Sequence, residues 1–155
     1  MTVTEKLASL GITIPAMTVP LGAYVRAKRS GNLLFVAGQL PMKDGKLTST
    51  GAVPSPVSVE KAADAARQCA VNAIAAASSV VPIDSLAGVL RVAVFVQSAD
   101  GLADQPKIAN GASEFLLDVF GDPGRHVRTA VGVNALPMDA TVEVEVVFEL
   151  ASQSN

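Results

Sequence analysis

Two side chains near the C-terminus could do chemistry together. In the segment from Arg128 to Leu150, RTAVGVNALPMDATVEVEVVFEL, one arginine and one glutamate, Arg128 and Glu143, stand on adjoining runs of alternating residues. A guanidinium is always charged, and its planar fork of donors matches a carboxylate with two parallel bonds, each charge-assisted bond contributing roughly 1.5–3 kcal/mol. Arg128 can therefore anchor a small acid, and neighbouring strands can aim Glu143 at the same acid. The plainer alternative is a structural salt bridge from Arg128 to Glu143 or another glutamate. Glu145 and Glu149 read as solvent-facing charges. His126, two residues before Arg128, can share its face and is either a proton carrier or a structural histidine.

The elements that must position this pair follow from periodicity. The two runs, joined by a turn at Leu136-Pro137-Met138-Asp139, predict a β-hairpin. On its first strand Thr129, Val131, Val133 and Ala135 are expected to face the core, with Arg128, Ala130, Gly132 and Asn134 opposite. On its second strand Val142, Val144 and Val146 oppose Glu143, Glu145, Val147 and Glu149, and the two polar faces can coincide.

Upstream, Thr2 to Leu10 has a short helical pattern ending at Gly11, an N-terminal appendage. Residues 24–28 and 33–37 flank the turn Arg29-Ser-Gly-Asn32 as a first hairpin, and the Gly, Ser, Thr and Pro content of 42–56 marks a loop. Ser58 caps a helix running to about Val80, whose small residues, from Ala62 through Cys69 to Ala77, recur at three and four positions and permit close packing on a sheet. Leu90 to Val96 alternates as a strand, and Ala103 to Phe120 predicts a second helix, interrupted at Asn110-Gly111. The order β-β-α-β-α-β-β is an α+β fold, a sheet covered on one face by two helices, within a single domain 1–155 whose residues 1–20 are the appendage.

Length and composition bound the rest. At 155 residues one domain removes roughly 68–70% of its unfolded surface from water. Half of the residues are hydrophobic but only 4% are aromatic, so the core is built from Ala, Val, Leu and Ile. The low charge content, 17%, suggests more buried surface than a monomer has, through oligomerisation or simply an Ala-rich core. The face of the sheet without helices, including Phe95 and Val147, would then need a partner. A net charge of −2 gives no electrostatic footprint for nucleic acid, and no stretch reaches the roughly 18 apolar residues that span a bilayer. The N-terminus lacks the layout of a signal peptide, so a cytoplasmic location is expected. Cys69 reads as core packing. One His and one Cys fall short of a metal cluster, and no phosphate-binding loop or GxSxG element is present, so no metal, no cofactor and no serine nucleophile are expected.

Together, Gly22-Ala-Tyr-Val25, Gly31-Asn32, Gly38-Gln-Leu-Pro41, Asn72, Arg91-Val-Ala-Val-Phe-Val96, Asn110, Arg128 to Pro137 and Val142-Glu-Val-Glu145 resemble, in order and spacing, the RidA family, also called YjgF, of reactive enamine and imine deaminases. The likeness spans roughly Gly22 to Phe148. It implies a chorismate-mutase-like fold assembled as a homotrimer, with the ligand cleft between adjacent subunits. It also implies that Arg128 clamps the substrate carboxylate, that Glu143 acts on water or the departing amine, and that Tyr24, Gly38 and Asn110 line the cleft. Where many members carry a cysteine two residues after the arginine, this chain has Ala130, which leaves a backbone N–H to bind the acid but no thiol. With the N-terminal appendage and a longer loop before Arg128, that marks a distinct branch.

The expected activity is hydrolysis of small 2-imino or 2-enamino acids to 2-oxo acids and ammonia. An imine is already electrophilic, so positioning and acid–base help of roughly 10²–10⁴-fold suffice without a cofactor. A rival reading is a trimeric protein that senses a 2-oxo acid or related metabolite without turnover. The RNA-cleaving label attached to relatives fits poorly with an acidic chain holding one His and few aromatic platforms.

Overall fold

The computed structural model describes residues 1–17, 20 and 22–152. Five strands form one sheet: β1 (Ala27–Ser30), β2 (Leu33–Gln39), β5 (Leu86–Gln97), β6 (Val127–Val133) and β7 (Val142–Leu150). Their order is β1-β2-β7-β5-β6, antiparallel throughout except for the parallel pair β5 and β6. A two-stranded ribbon, β3 (Met42–Lys43) and β4 (Lys46–Leu47), occupies part of the expected loop.

Helices α2 (Val59–Ser78) and α3 (Gln105–Phe120) cover one face of the sheet. Ser58 caps α2 by accepting from the Lys61 N–H at 3.1 Å, as its sequence position predicts. The inward stripe of small residues is fully buried, Cys69 included, and packs over β7 and β2, where Val142, Val144, Val146 and Val36 are buried. Alanine, with no side chain beyond Cβ, lets the helix lie close to this valine surface. The helix α3 is unbroken at Asn110-Gly111. A Cβ at Gly111 would run into the backbone carbonyl of Ala63, so the glycine marks a close approach of α3 to α2, and packing there outweighs its poor helix propensity.

The C-terminal segment departs from the expected hairpin. Strands β6 and β7 are not neighbours: β6 is the edge strand beside β5, and β7 lies between β2 and β5. The connection crosses the end of β5 through a 3₁₀ turn, Pro137–Asp139, in which Met138 has φ of 58°. Gln97, the last residue of β5, fastens it by donating to the Asp139 carboxylate at 3.0 Å and to the Ala140 carbonyl at 3.1 Å. A buried Ser49–Thr141 hydroxyl pair at 2.7 Å holds its far side.

The faces of β6 are also the reverse of those expected. Arg128, Ala130 and Gly132 register with Val92, Val94 and Val96 of β5, whose side chains point at the helices, while Thr129 and Val131 are exposed. The alternation was legible, but an edge strand buries so little of either face that hydrophobicity does not say which face is inner. No helix among the described residues covers the sheet's other face. Phe95 and Val147 are half-buried there, and Leu33, Phe35 and Val131 are exposed.

At the N-terminus α1 (Val3–Ser9) is closed by a capping box between Thr2 and Glu5. It buries Val3 and Leu7 against the body, and Thr4 donates from both its N–H and its hydroxyl to Asp84, at 2.9 and 2.8 Å. None of the described helices is long and apolar enough to cross a membrane.

Candidate functional site

Arg128 leaves β6 toward α3. Its Nη1 donates to Asn110 Oδ1 at 2.8 Å and to Ser113 Oγ at 3.2 Å, and its Nη2 approaches the Pro106 carbonyl at 3.4 Å. All three acceptors are neutral. The two salt bridges among the described residues, Lys107–Asp104 and Arg125–Asp122, leave Arg128 without a carboxylate partner, so the expected alternative of a structural ion pair with Glu143 is absent from the single chain. His126 does share the face of Arg128, and its Nε2 lies 2.8 Å from Ser113 Oγ. Ala130, half-buried, follows Arg128 on the same face.

Glu143 belongs to a different place. It registers with Phe95 on the sheet's open face, and its carboxylate packs against Gly38 of β2 so closely that a Cβ at Gly38 would collide with it. That approach, in a sheet bulge between Val36 and Gln39, is open because Gly38 has no Cβ. Burial, and then the nearby Glu145 charge, push the Glu143 carboxyl above its ordinary range. Gly38 also lines a cavity of about 900 Å³ together with Tyr24, Asn72, Val71 and residues 11–13 and 15–17 of the N-terminal segment, among them Ile12 and Met17. Asn72 holds one wall, donating to the carbonyls of Leu40 and Met42 at 3.0 and 2.9 Å.

The expected site residues thus fall into two groups. Arg128, Asn110 and Ala130 gather at the β6 edge under α3, while Glu143, Gly38 and Tyr24 gather at the β2–β7 side. The expectation that the polar faces of Arg128 and Glu143 coincide fails within one chain, because β5 intervenes and the two residues point to opposite faces. Ser113 went unnoticed in the sequence. Its signal was its position three residues after Asn110, one helical turn along the same face. Among the described residues no group of three or more His, Cys, Asp or Glu is arranged to hold a metal.

The architecture is α+β and chorismate-mutase-like, with one group of the candidate residues at each of two sheet regions. A family model described as Endoribonuclease L-PSP matches residues 15–150. The chain is 39% identical over 150 residues to Protein TCP17 of Trypanosoma cruzi, covering 96% of this chain and 94% of that protein. It is 29% identical over 136 residues to a 2-iminobutanoate/2-iminopropanoate deaminase of Dermatophagoides farinae, covering 86% of this chain and 91% of that one. Among solved structures, the protein Atu1372 of Agrobacterium tumefaciens, described as of unknown function, aligns with a TM-score of 0.87 at 39% identity, over 96% of this chain and 92% of that chain. The protein belongs to the endoribonuclease L-PSP family, the RidA/YjgF group.

Proposed function

We propose that the protein is a cofactor-free hydrolytic deaminase of small 2-imino and 2-enamino acids, working in clefts between the subunits of a homotrimer. The observation that carries this reading is Arg128: its guanidinium is oriented by three neutral acceptors and has no carboxylate partner among the described residues, so its charge is left for an acid ligand. The name of the mite relative supplies the substrate class, a 2-imino acid.

Two half-sites on opposite faces of one sheet support the assembly. A closed ring of identical chains repeats one heterologous contact, which can lay the β6 edge of one protomer against the β2–β7 side of the next. The exposed Leu33, Phe35 and Val131 are the kind of apolar surface such a contact covers.

In the proposed cleft Arg128 of one protomer holds the substrate carboxylate, helped by the Ala130 backbone N–H on the edge strand. An enamine first takes a proton at its β-carbon and releases one from nitrogen to become the imine. Glu143 of the neighbour, as the carboxylate, accepts a proton from water as the water oxygen bonds to the C=N carbon. Glu143 returns that proton to the nitrogen, which has taken the C=N π pair, giving a neutral carbinolamine. Glu143 then takes the hydroxyl proton as C=O forms and the C–N bond breaks, and passes it to the leaving nitrogen, so that ammonia and the 2-oxo acid leave. A carboxyl that burial pushes above its ordinary range suits a group that must both take and return a proton. Tyr24, Gly38 and the cavity around them would take the substrate's remaining atoms.

The test is a coupled assay in which a serine dehydratase generates 2-aminoacrylate, semicarbazide traps the imine, and pyruvate is followed. Faster pyruvate formation with wild type and none with Arg128→Ala is expected. Binding of pyruvate without any acceleration, by a folded protein, would replace the deaminase with a metabolite-binding protein.

A further inference from the structure

We propose that Ser113 and His126 are positioning residues for Arg128, joined to it in a hydrogen-bond relay that runs in one direction; the inference rests on the reading of Arg128 as a carboxylate clamp. The direction follows from donor chemistry. The Gly124 carbonyl can only accept, and it lies 2.7 Å from His126 Nδ1, so that nitrogen carries the proton. In the neutral ring Nε2 is then a bare acceptor, and the Ser113 hydroxyl, 2.8 Å away, donates to it. A serine hydroxyl has one hydrogen. With that hydrogen held by His126, the oxygen presents only lone pairs to Arg128 Nη1, 3.2 Å away.

The consequence is a fixed guanidinium plane. The two hydrogens of Nη1 go to Ser113 Oγ and to Asn110 Oδ1, acceptors one turn apart on α3, and Nη2 is near the Pro106 carbonyl. The Nε edge, which with Nη2 forms a side-on pair of donors, has no acceptor among the described residues and is the edge we assign to the substrate carboxylate. Without His126 the Ser113 hydroxyl would be a free rotor that could turn its hydrogen toward the cation and spoil the contact. Ser113 is only 7% exposed, so water is a poor substitute for the missing partner. His126 touches no proposed reacting atom, and its role passes through Ser113.

This chain has a single histidine, which makes the test clean. Nitrogen NMR of the wild-type ring should show the Nδ1-protonated tautomer, and pyruvate should shift the Nε2 resonance in wild type but not in Arg128→Ala. In the imine assay, Ser113→Ala and His126→Phe should each raise KM about tenfold with kcat within about twofold, the loss of one hydrogen bond in a partly buried chain. The pyruvate Kd should rise in parallel, and the double variant should be no worse than either single because the relay acts as one unit. His126→Gln, whose amide oxygen can replace Nε2 as acceptor, should restore KM to within about threefold of wild type. An Nε2-protonated ring, or wild-type KM in both single variants while Arg128→Ala is inactive, would overturn the relay and leave the deaminase reading intact. Wild-type turnover in Arg128→Ala would overturn the clamp and the relay with it. Should the variants fail to fold, the tautomer and its response to pyruvate in wild type still decide.

Discussion

Arg128 and Glu143 lie on opposite faces of one sheet: Arg128 is registered with Val92 beneath the helices, and Glu143 with Phe95 on the open side. Two strands that do not touch carry them, with β5 between. If both act on one substrate, each must come from a different copy of the chain.

Complementation between copies follows. Arg128→Ala and Glu143→Gln should each be inactive alone. Unfolded together in equal amounts and refolded, they should recover about a quarter of the wild-type rate, because each cleft draws its arginine and glutamate independently from two protomers. Activity that stays at the single-variant level after verified mixing would place both residues in the same subunit's site or remove one of them from it.

Gly38→Ala should separate activity from stability. The new methyl meets the far end of the Glu143 side chain, which can swing away at little cost, so unfolding in urea should shift by under about 1 kcal/mol. Turnover should fall at least tenfold, since a displaced carboxylate no longer reaches its water. A large loss of stability with normal specific activity would show that Glu143 is held rigidly and is idle.

Glu143 also sets a pH dependence whose sign is fixed by its upward shift. A carboxyl raised in the folded chain favours folding below its unfolded pKa, near 4.3, and that contribution is lost as pH rises through the folded value. At neutral pH Glu143→Gln should therefore melt higher than wild type, and the gap should close on acidification as the wild-type carboxyl takes its proton. Turnover should vary oppositely, with the acid limb of kcat/KM above the ordinary glutamate range. Thermal melts across pH 4 to 8 in which the variant is always the less stable would contradict the shift.

Gly111→Ala would improve helix propensity by about 1 kcal/mol in an isolated helix. Here the methyl faces the Ala63 backbone carbonyl, which cannot rotate aside, so α3 must move off α2. Net destabilisation of roughly 1–3 kcal/mol by denaturant titration is expected. A more stable variant would mean the two helices are not in close contact.

Much of this architecture is local and was legible. The Ser58 cap, the small-residue stripe through Cys69 and the turn at Gly31-Asn32 each depend on residues a few positions apart, and the two main helices lie within about two residues of their expected bounds. The pattern from Arg128 to Leu150 likewise contained two strands and a turn. What the local pattern did not contain was which strands pair. A hairpin is the shortest way to join two alternating runs, but Gln97, 42 residues before Asp139, holds the Asp139–Ala140 corner and β5 takes the place between them. The inner face of β6 was decided the same way, by Val92 and Val94 beside it and α3 above, because an exposed edge strand has too little hydrophobic contrast to choose for itself. Sequence alone determined which residues could carry the chemistry. Tertiary structure decided that they stand apart, since pairing and facing are settled by contacts between residues distant in the chain.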